Sequence, residues 1–104
     1  MSKVYLTYVK RTPIGKYAGS LSLIRPDDLL ALLLKELKNK VSFPIDLIDE
    51  VIIGCANQAG EDNRNIARMS LLLADYPFCV PGITLNRLCA SSLDAIIDGY
   101  VRIK

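Results

Sequence analysis

Apolar positions recur along this chain with two periods, and each change of period marks an element boundary. Val4 to Val9 is rich in valine, tyrosine and leucine and is closed by Thr12-Pro13, which predicts a first strand. The stretch Arg11 to Ser20 is punctuated by Gly15 and Gly19 and reads as a loop. Pro26 follows, with Asp27 and Asp28 over the next turn, and this is a helix start: proline tolerates the first helical position and acids favour the N-terminal end. The helix runs on through LLALLLKELKNK. Leu30, Leu33, Leu34 and Leu37 line one face, and further leucines widen the stripe, so burial on more than one side is expected.

Pro44 breaks that helix, and residues 45–49 suit a short helical turn. Glu50 to Cys55 is a brief apolar run of the kind a doubly covered sheet uses. A polar loop, Ala56 to Asp62, leads to a helix expected to be capped by Asp62 or Asn63 and to end near Ala74, with Ile66, Met69, Leu72 and Leu73 on its apolar face. Tyr76 to Gly82 holds Pro77 and Pro81 and is a connector. Ile83 to Leu88 reads as a third strand. From Ala90 the period returns to helical, with Leu93, Ile96, Ile97, Tyr100 and Val101 on one side and Asp94, Asp98 and Arg102 facing away. The fold class is therefore α/β, a mostly parallel βαβαβα unit with right-handed crossovers. There is no solenoid repeat and no low-complexity segment. The helical pattern is still running at Lys104, without a glycine or proline stop, so the expectation is that residues 1–104 form an incomplete domain.

Composition sharpens this picture. An apolar fraction of 51% is high for a 104-residue chain that must cover all its own surface, and it suggests faces meant for more polypeptide. Thirteen Lys plus Arg against 11 Asp plus Glu leave +2, with no basic stripe interleaved with aromatics, which argues against nucleic-acid binding. The N-terminus lacks the apolar core of a signal peptide, and the longest apolar run, Leu29 to Leu34, is far too short for a bilayer, so a soluble cytoplasmic protein with no membrane partner is expected. Three cysteines without a Cys-x-x-Cys pair fit a reducing compartment. Histidine is absent, which removes Cys/His zinc sites and histidine-assisted nucleophiles from what the chain builds alone; no metal site is expected.

Cys89 stands where the third strand hands over to the last helix. Unpaired N–H groups and the helix dipole at such a junction favour a thiolate, the nucleophilic form, and the same amides suit an oxyanion. The residues alone leave two readings open for Cys89, a nucleophile or an inert core thiol. For Cys55 and Cys79 packing is the better explanation. Gly15 and Gly19 around Lys16 match no phosphate-binding pattern, and Arg64 and Arg68, one turn apart, suit a solvated or salt-bridged face.

Three blocks carry a resemblance. Arg11-Thr12-Pro13-Ile14-Gly15-Lys16-Tyr17-Ala18-Gly19-Ser20-Leu21 is similar to the early loop of thiolases, patterned Arg-Thr-Pro-x-Gly-x-aromatic-x-Gly-x-Leu. Gly54 to Arg68 resembles the strand-loop-helix segment that follows, and its Gly-Glu-Asp-Asn-Arg-Asn wording is closest to thiolases acting on 3-oxoadipyl-CoA. Val80 to Ala95 resembles the segment bearing the acyl-accepting cysteine. The Arg-Thr-Pro-x-Gly loop and the Asn-Arg-x-Cys block argue against ketoacyl synthases and hydroxymethylglutaryl-CoA synthases.

The resemblance implies a partial thiolase-like N-terminal domain and an acyltransferase that moves an acyl group between acyl-CoA and CoA. It implies that Cys89 is the acyl-thioester nucleophile and that its backbone N–H is an oxyanion donor. It implies no cofactor beyond the CoA thioester substrate, acyl-CoA or CoA as the ligand of the complete enzyme, and either a homo-oligomer or association with the missing thiolase segments; CoA-binding residues are not assigned. The polar loop from Asn57 to Arg64 corresponds to a region near the family's dimer interface. Where the family has Gly or Ser, then Ser, then Gly after the cysteine, this chain has Ala90-Ser91-Ser92. Ser92 is expected to crowd the acyl site or a facing helix, and the plainer reading is that Ser91 and Ser92 cap the helix. The family's Gly-His-Pro, Cys-x-Gly and Asn-Glu-Ala-Phe motifs do not occur here, so the isolated chain is expected to be inactive. The alternative is a non-catalytic remnant or interaction module that pairs with a full-length thiolase subunit.

Overall fold

The computed structural model describes residues 3–104. Helix α1, Pro26–Lys40, starts with proline in its first turn; Arg25 before it is extended, as a residue preceding proline must be. Asp27 and Asp28 lie at its N-terminal end and Lys38 and Lys40 at its C-terminal end, matching the helix dipole. Asp27, Ala31 and Leu34 are buried and Leu29, Leu30, Leu33 and Leu37 half-buried, whereas Leu32 is 60% exposed, so the leucine-rich helix is fully covered along one face and partly covered beside it.

A 3-10 turn, Ile45–Leu47, leads to strand β1, Val51–Gly54. Helix α2, Ile66–Leu73, follows, then strand β2, Gly82–Leu85, and helix α3, Ser91–Ile103. The two strands are parallel, in register from Val51↔Gly82 to Gly54↔Leu85. Strand alternation sorts their faces. Val51 packs into the main core, and Thr84 Oγ1 accepts the Ala67 N–H of α2 at 3.1 Å, so this face carries α2 with α1 behind it. Ile52 and Gly54 face α3, so the sheet is covered on both sides.

The core is formed by Ala31, Leu34, Leu71, Ala74, Tyr76 and Val80, with Leu30, Ile45, Ile48 and Val51 packed against it. Its polar groups are satisfied. Tyr76 OH donates to Leu34 O at 2.7 Å, Ser70 Oγ donates to Asp27 O at 3.1 Å, and burial pushes the Tyr76 phenol above its ordinary value. Tyr76 to Pro81 thus connects as expected, but it also contributes two of the core side chains.

Three expectations need correction. No strand forms at Val4 to Val9, although the α/β class with parallel strands stands. Tyr5, Leu6 and Val9 are 71%, 81% and 83% exposed; β-branched and aromatic residues favour a strand only where neighbours on a sheet receive them, and here none does. The cap of α2 is Asn65, not Asp62 or Asn63, because Asp62 ends a 3-10 turn, Gly60–Asp62, and accepts the Ala59 N–H at 2.6 Å. With the later start the buried face becomes Ile66, Ala67, Ser70 and Leu71, leaving Met69, Leu72 and Leu73 exposed.

The third correction concerns α3, which is turned the other way. Ser91 and Ala95 are buried and Gly99 meets Ile52, while Leu93, Ile96, Ile97, Tyr100 and Val101 point outward, each at least 49% exposed. Asp94, Asp98 and Arg102 lie nearer the body, where Arg102 pairs with Glu50 and Asp98, and Asp94 with Arg87. Small residues at spacings of four let α3 come down close onto β1, and that seat decides its rotation. Among the described residues, no helix is long and apolar enough to cross a membrane, and no group of three or more His, Cys, Asp or Glu is placed to hold a metal ion.

Candidate active site

The chain leaves β2 at Leu85 and enters α3 at Ser91, and Cys89 sits on the turn between them, exposed to solvent and outside both elements. This turn is tightly specified. Asn86 Oδ1 accepts the Leu88 N–H at 2.8 Å, closing an Asx turn. Leu88 is thereby held at φ 49°, a left-handed conformation that a side chain resists. Ser91 Oγ accepts the Arg87 N–H at 2.9 Å and donates to Leu88 O at 2.6 Å. The N–H groups of Ala90 and Ser91 bond back to the carbonyls of Arg87 and Leu88, both at 3.1 Å. The Cys89 N–H is not among the donors that brace the turn.

Two ties anchor the turn to the rest of the fold. Asn86 Nδ2 donates to Ala56 O at 3.1 Å, joining it to the loop after β1, and Arg87 Nε pairs with Asp94 Oδ2 at 3.2 Å, joining it to α3. Gly54 at the end of β1 lies directly under the first turn of α3. Such a setting, with a thiol at the N-terminal end of a helix whose dipole favours anions, suits attack on an electrophilic carbon.

The other cysteines are placed differently. Cys55 is half-buried, and its Sγ donates to Asp62 Oδ2 at 3.5 Å, consistent with a structural thiol. Cys79 is exposed, so the packing role expected for it is not found; Val80 beside it is the residue that enters the core. Ser92 is also exposed, and no side chain caps α3. Ser91 is a brace rather than a cap, since it bonds backward to residues 87 and 88.

Sequence reasoning placed Cys89 on its turn but missed Asn86, Ser91 and Gly54 as the residues that shape it. Two signals were there: an asparagine directly after an apolar strand, which favours an Asx turn, and a glycine closing an apolar strand, which marks a close backbone approach; the left-handed Leu88 had none. A recess of about 680 Å³ lined by Asp49, Glu50, Ile52, Gly99, Arg102 and Ile103 lies at the opposite end of β1 and includes no residue of the Cys89 turn.

Comparison with known proteins follows the same lines. Residues 4–104 match the model of the thiolase N-terminal domain family. A beta-ketoadipyl-CoA thiolase of Pseudomonas aeruginosa is 58% identical over 95 residues, covering 90% of this chain and 24% of that protein. A 3-oxoadipyl-CoA/3-oxo-5,6-dehydrosuberyl-CoA thiolase of Escherichia coli is 59% identical over 87 residues, 83% of this chain and 22% of the relative. A thiolase of Ascaris suum, solved in complex with coenzyme A, superposes with a TM-score of 0.79 at 33% identity, over 88% of this chain and 24% of its own. The chain thus spans about a quarter of the length of the relatives it matches. By sequence and by fold it belongs to the thiolase family, as N-terminal-domain sequence of that family.

Proposed function

We propose that this chain carries the acyl-accepting part of a thiolase, and that Cys89 is the residue that takes the acyl group. The observation that supports it is the exposed Cys89 thiol on a braced strand-to-helix turn, within the segment the family model matches. In the proposed step the Cys89 thiolate attacks the carbonyl carbon of an acyl-CoA. The oxyanion that forms is met by the Cys89 N–H. The carbonyl then reforms, the bond to the CoA sulfur breaks, CoA leaves and is protonated, and the acyl group remains on Cys89 as a thioester. In the condensing direction the carbanion of a second acyl-CoA attacks that thioester, forming the new carbon–carbon bond as the Cys89 thiolate leaves. In the degradative direction the Cys89 thiolate attacks the 3-oxo carbon of a 3-oxoacyl-CoA instead, the C2–C3 bond breaks, the acetyl-CoA carbanion leaves and is protonated, and free CoA then takes the shortened acyl group from Cys89.

The names of the relatives point to acyl groups of the 3-oxoadipyl class as substrates. The chain has no histidine to serve as the base, so turnover requires groups from elsewhere in a complete enzyme, reached in a homo-oligomer or by association with further thiolase segments. Incubation with acetyl-CoA or iodoacetamide, followed by peptide mass spectrometry, tests the assignment. Modification is expected at Cys89 ahead of Cys55 and Cys79; preference for either of the others would count against it. A second reading, an interaction module that pairs with a full-length thiolase subunit, draws on the outward apolar side of α3. Co-purification with such a subunit, with no Cys89 acylation, would favour it.

A further inference from the structure

Gly54 and Ser91 lie on different elements, yet both bear on the same turn. A Cβ built on Gly54 would stand 2.3 Å from the carbonyl carbon of Ser91, 2.4 Å from its oxygen and 2.4 Å from the Ser92 nitrogen. These are backbone atoms of the first turn of α3, and they have no rotamer by which to move aside. Any side chain at position 54 must displace that turn.

Ser91 in its turn is 3% exposed, and its hydroxyl holds Arg87 N–H and Leu88 O, the two residues immediately before Cys89. A helix-capping serine would accept from N–H groups further along the helix. Ser91 instead reaches back across the left-handed Leu88.

We infer that Ser91, seated on Gly54, is a positioning residue for Cys89. The glycine fixes the height of the α3 N-terminus over β1, and the hydroxyl transmits that height to the turn bearing the thiol. Neither residue touches a reacting atom. The inference rests on the nucleophilic role proposed for Cys89, and the test below separates the two.

The experiment follows iodoacetamide labelling of the whole chain at each cysteine by mass spectrometry, across a pH series. Cys79, exposed and on a different segment, is the internal reference, and the half-buried Cys55 reports opening of the fold. In the unsubstituted chain Cys89 should label faster than Cys79; if it does not, the nucleophile reading fails and this inference fails with it. Given that advantage, Gly54→Ala and Ser91→Ala should each slow Cys89 about tenfold or more and displace its pH profile, with Cys79 unmoved. Gly82→Ala is the matched control, because a Cβ there would come within 2.9 Å of the Arg68 nitrogen, on α2 rather than α3. It should leave the Cys89 profile where it was.

Fast Cys89 labelling with an unchanged profile in Ser91→Ala would overturn the positioning role while leaving the nucleophile in place. An equal change in Gly82→Ala would overturn it too, by showing a general loss of packing. Where Gly54→Ala exposes Cys55 to the reagent the fold has opened, and Ser91→Ala decides alone.

Discussion

Asp27 is a buried carboxylate with a full set of partners. Arg25 donates to it through Nε and Nη2, each at 3.1 Å, and the Asp28 N–H adds a third bond at 3.0 Å. The Arg25 hydrogen bonds hold its carboxyl below the ordinary value of 3.8, against the opposing effect of burial. The sign follows from linkage: a group whose folded value is depressed adds stability above its unfolded value, and that stability is lost as the pH falls through the folded one. Asp27 should therefore contribute fully at neutral pH and less and less below 3.8. Thermal melts of the chain and of Asp27→Asn should converge as the pH drops below that value; parallel acid limbs would show that the carboxylate is not coupled to folding. This residue was legible only as one of two acids at a helix start. The carboxylate's own partners are local, but its burial comes with the packing of α1 on α2, where Ser70 bonds the Asp27 carbonyl from 43 residues away, and no local pattern specifies that.

Elements were more legible in their existence than in their orientation. The helix beginning at Pro26 and the parallel pair around Ile52 and Ile83 follow from period and proline placement. Rotation about the helix axis did not. In α3 the hydrophobic stripe was the louder signal, yet Ser91, Ala95 and Gly99 face the sheet because close approach at Gly54 admits only small groups. For α2 the sequence offered Asp62 and Asn63 as caps, yet Asn65 takes the place, set by a partner distant in sequence. Asn65 accepts from Thr84 Oγ1 at 2.7 Å and donates to Gly82 O at 2.9 Å, which fixes it at φ 58°. The two contributions can be separated. Asn65→Gly keeps the left-handed backbone and loses the bonds to Thr84 and Gly82, for a cost of about 1–2 kcal/mol. Asn65→Ala loses both and should cost roughly 1 kcal/mol more. Equal denaturant midpoints for the two variants would mean that the backbone geometry carries no cost.

At the scale of the whole molecule, the Cα radius of gyration is 14.0 Å, against about 13 Å for a compact chain of this length. Much apolar surface lies open. Leu93 is 62% exposed and Val101 61%, on the outward side of α3, and Leu6 and Val9 in the N-terminal segment are more exposed still. The high apolar fraction foreshadowed such a surface, although its place could not be read while α3 was expected to turn that stripe inward. A double substitution, Leu93→Lys with Val101→Lys, separates the two orientations. If these side chains face solvent, the stability of the chain should change by no more than about 0.5 kcal/mol, while binding of an apolar fluorescent dye and aggregation at high concentration both fall. If they were packed against the sheet, as the stripe alone suggests, burying two ammonium groups would cost several kcal/mol and unfold so small a domain. Loss of the cooperative melt in the double variant would therefore reject the outward stripe. It would also remove the seat of α3 on Gly54, and with it the geometry that holds Cys89 at the surface.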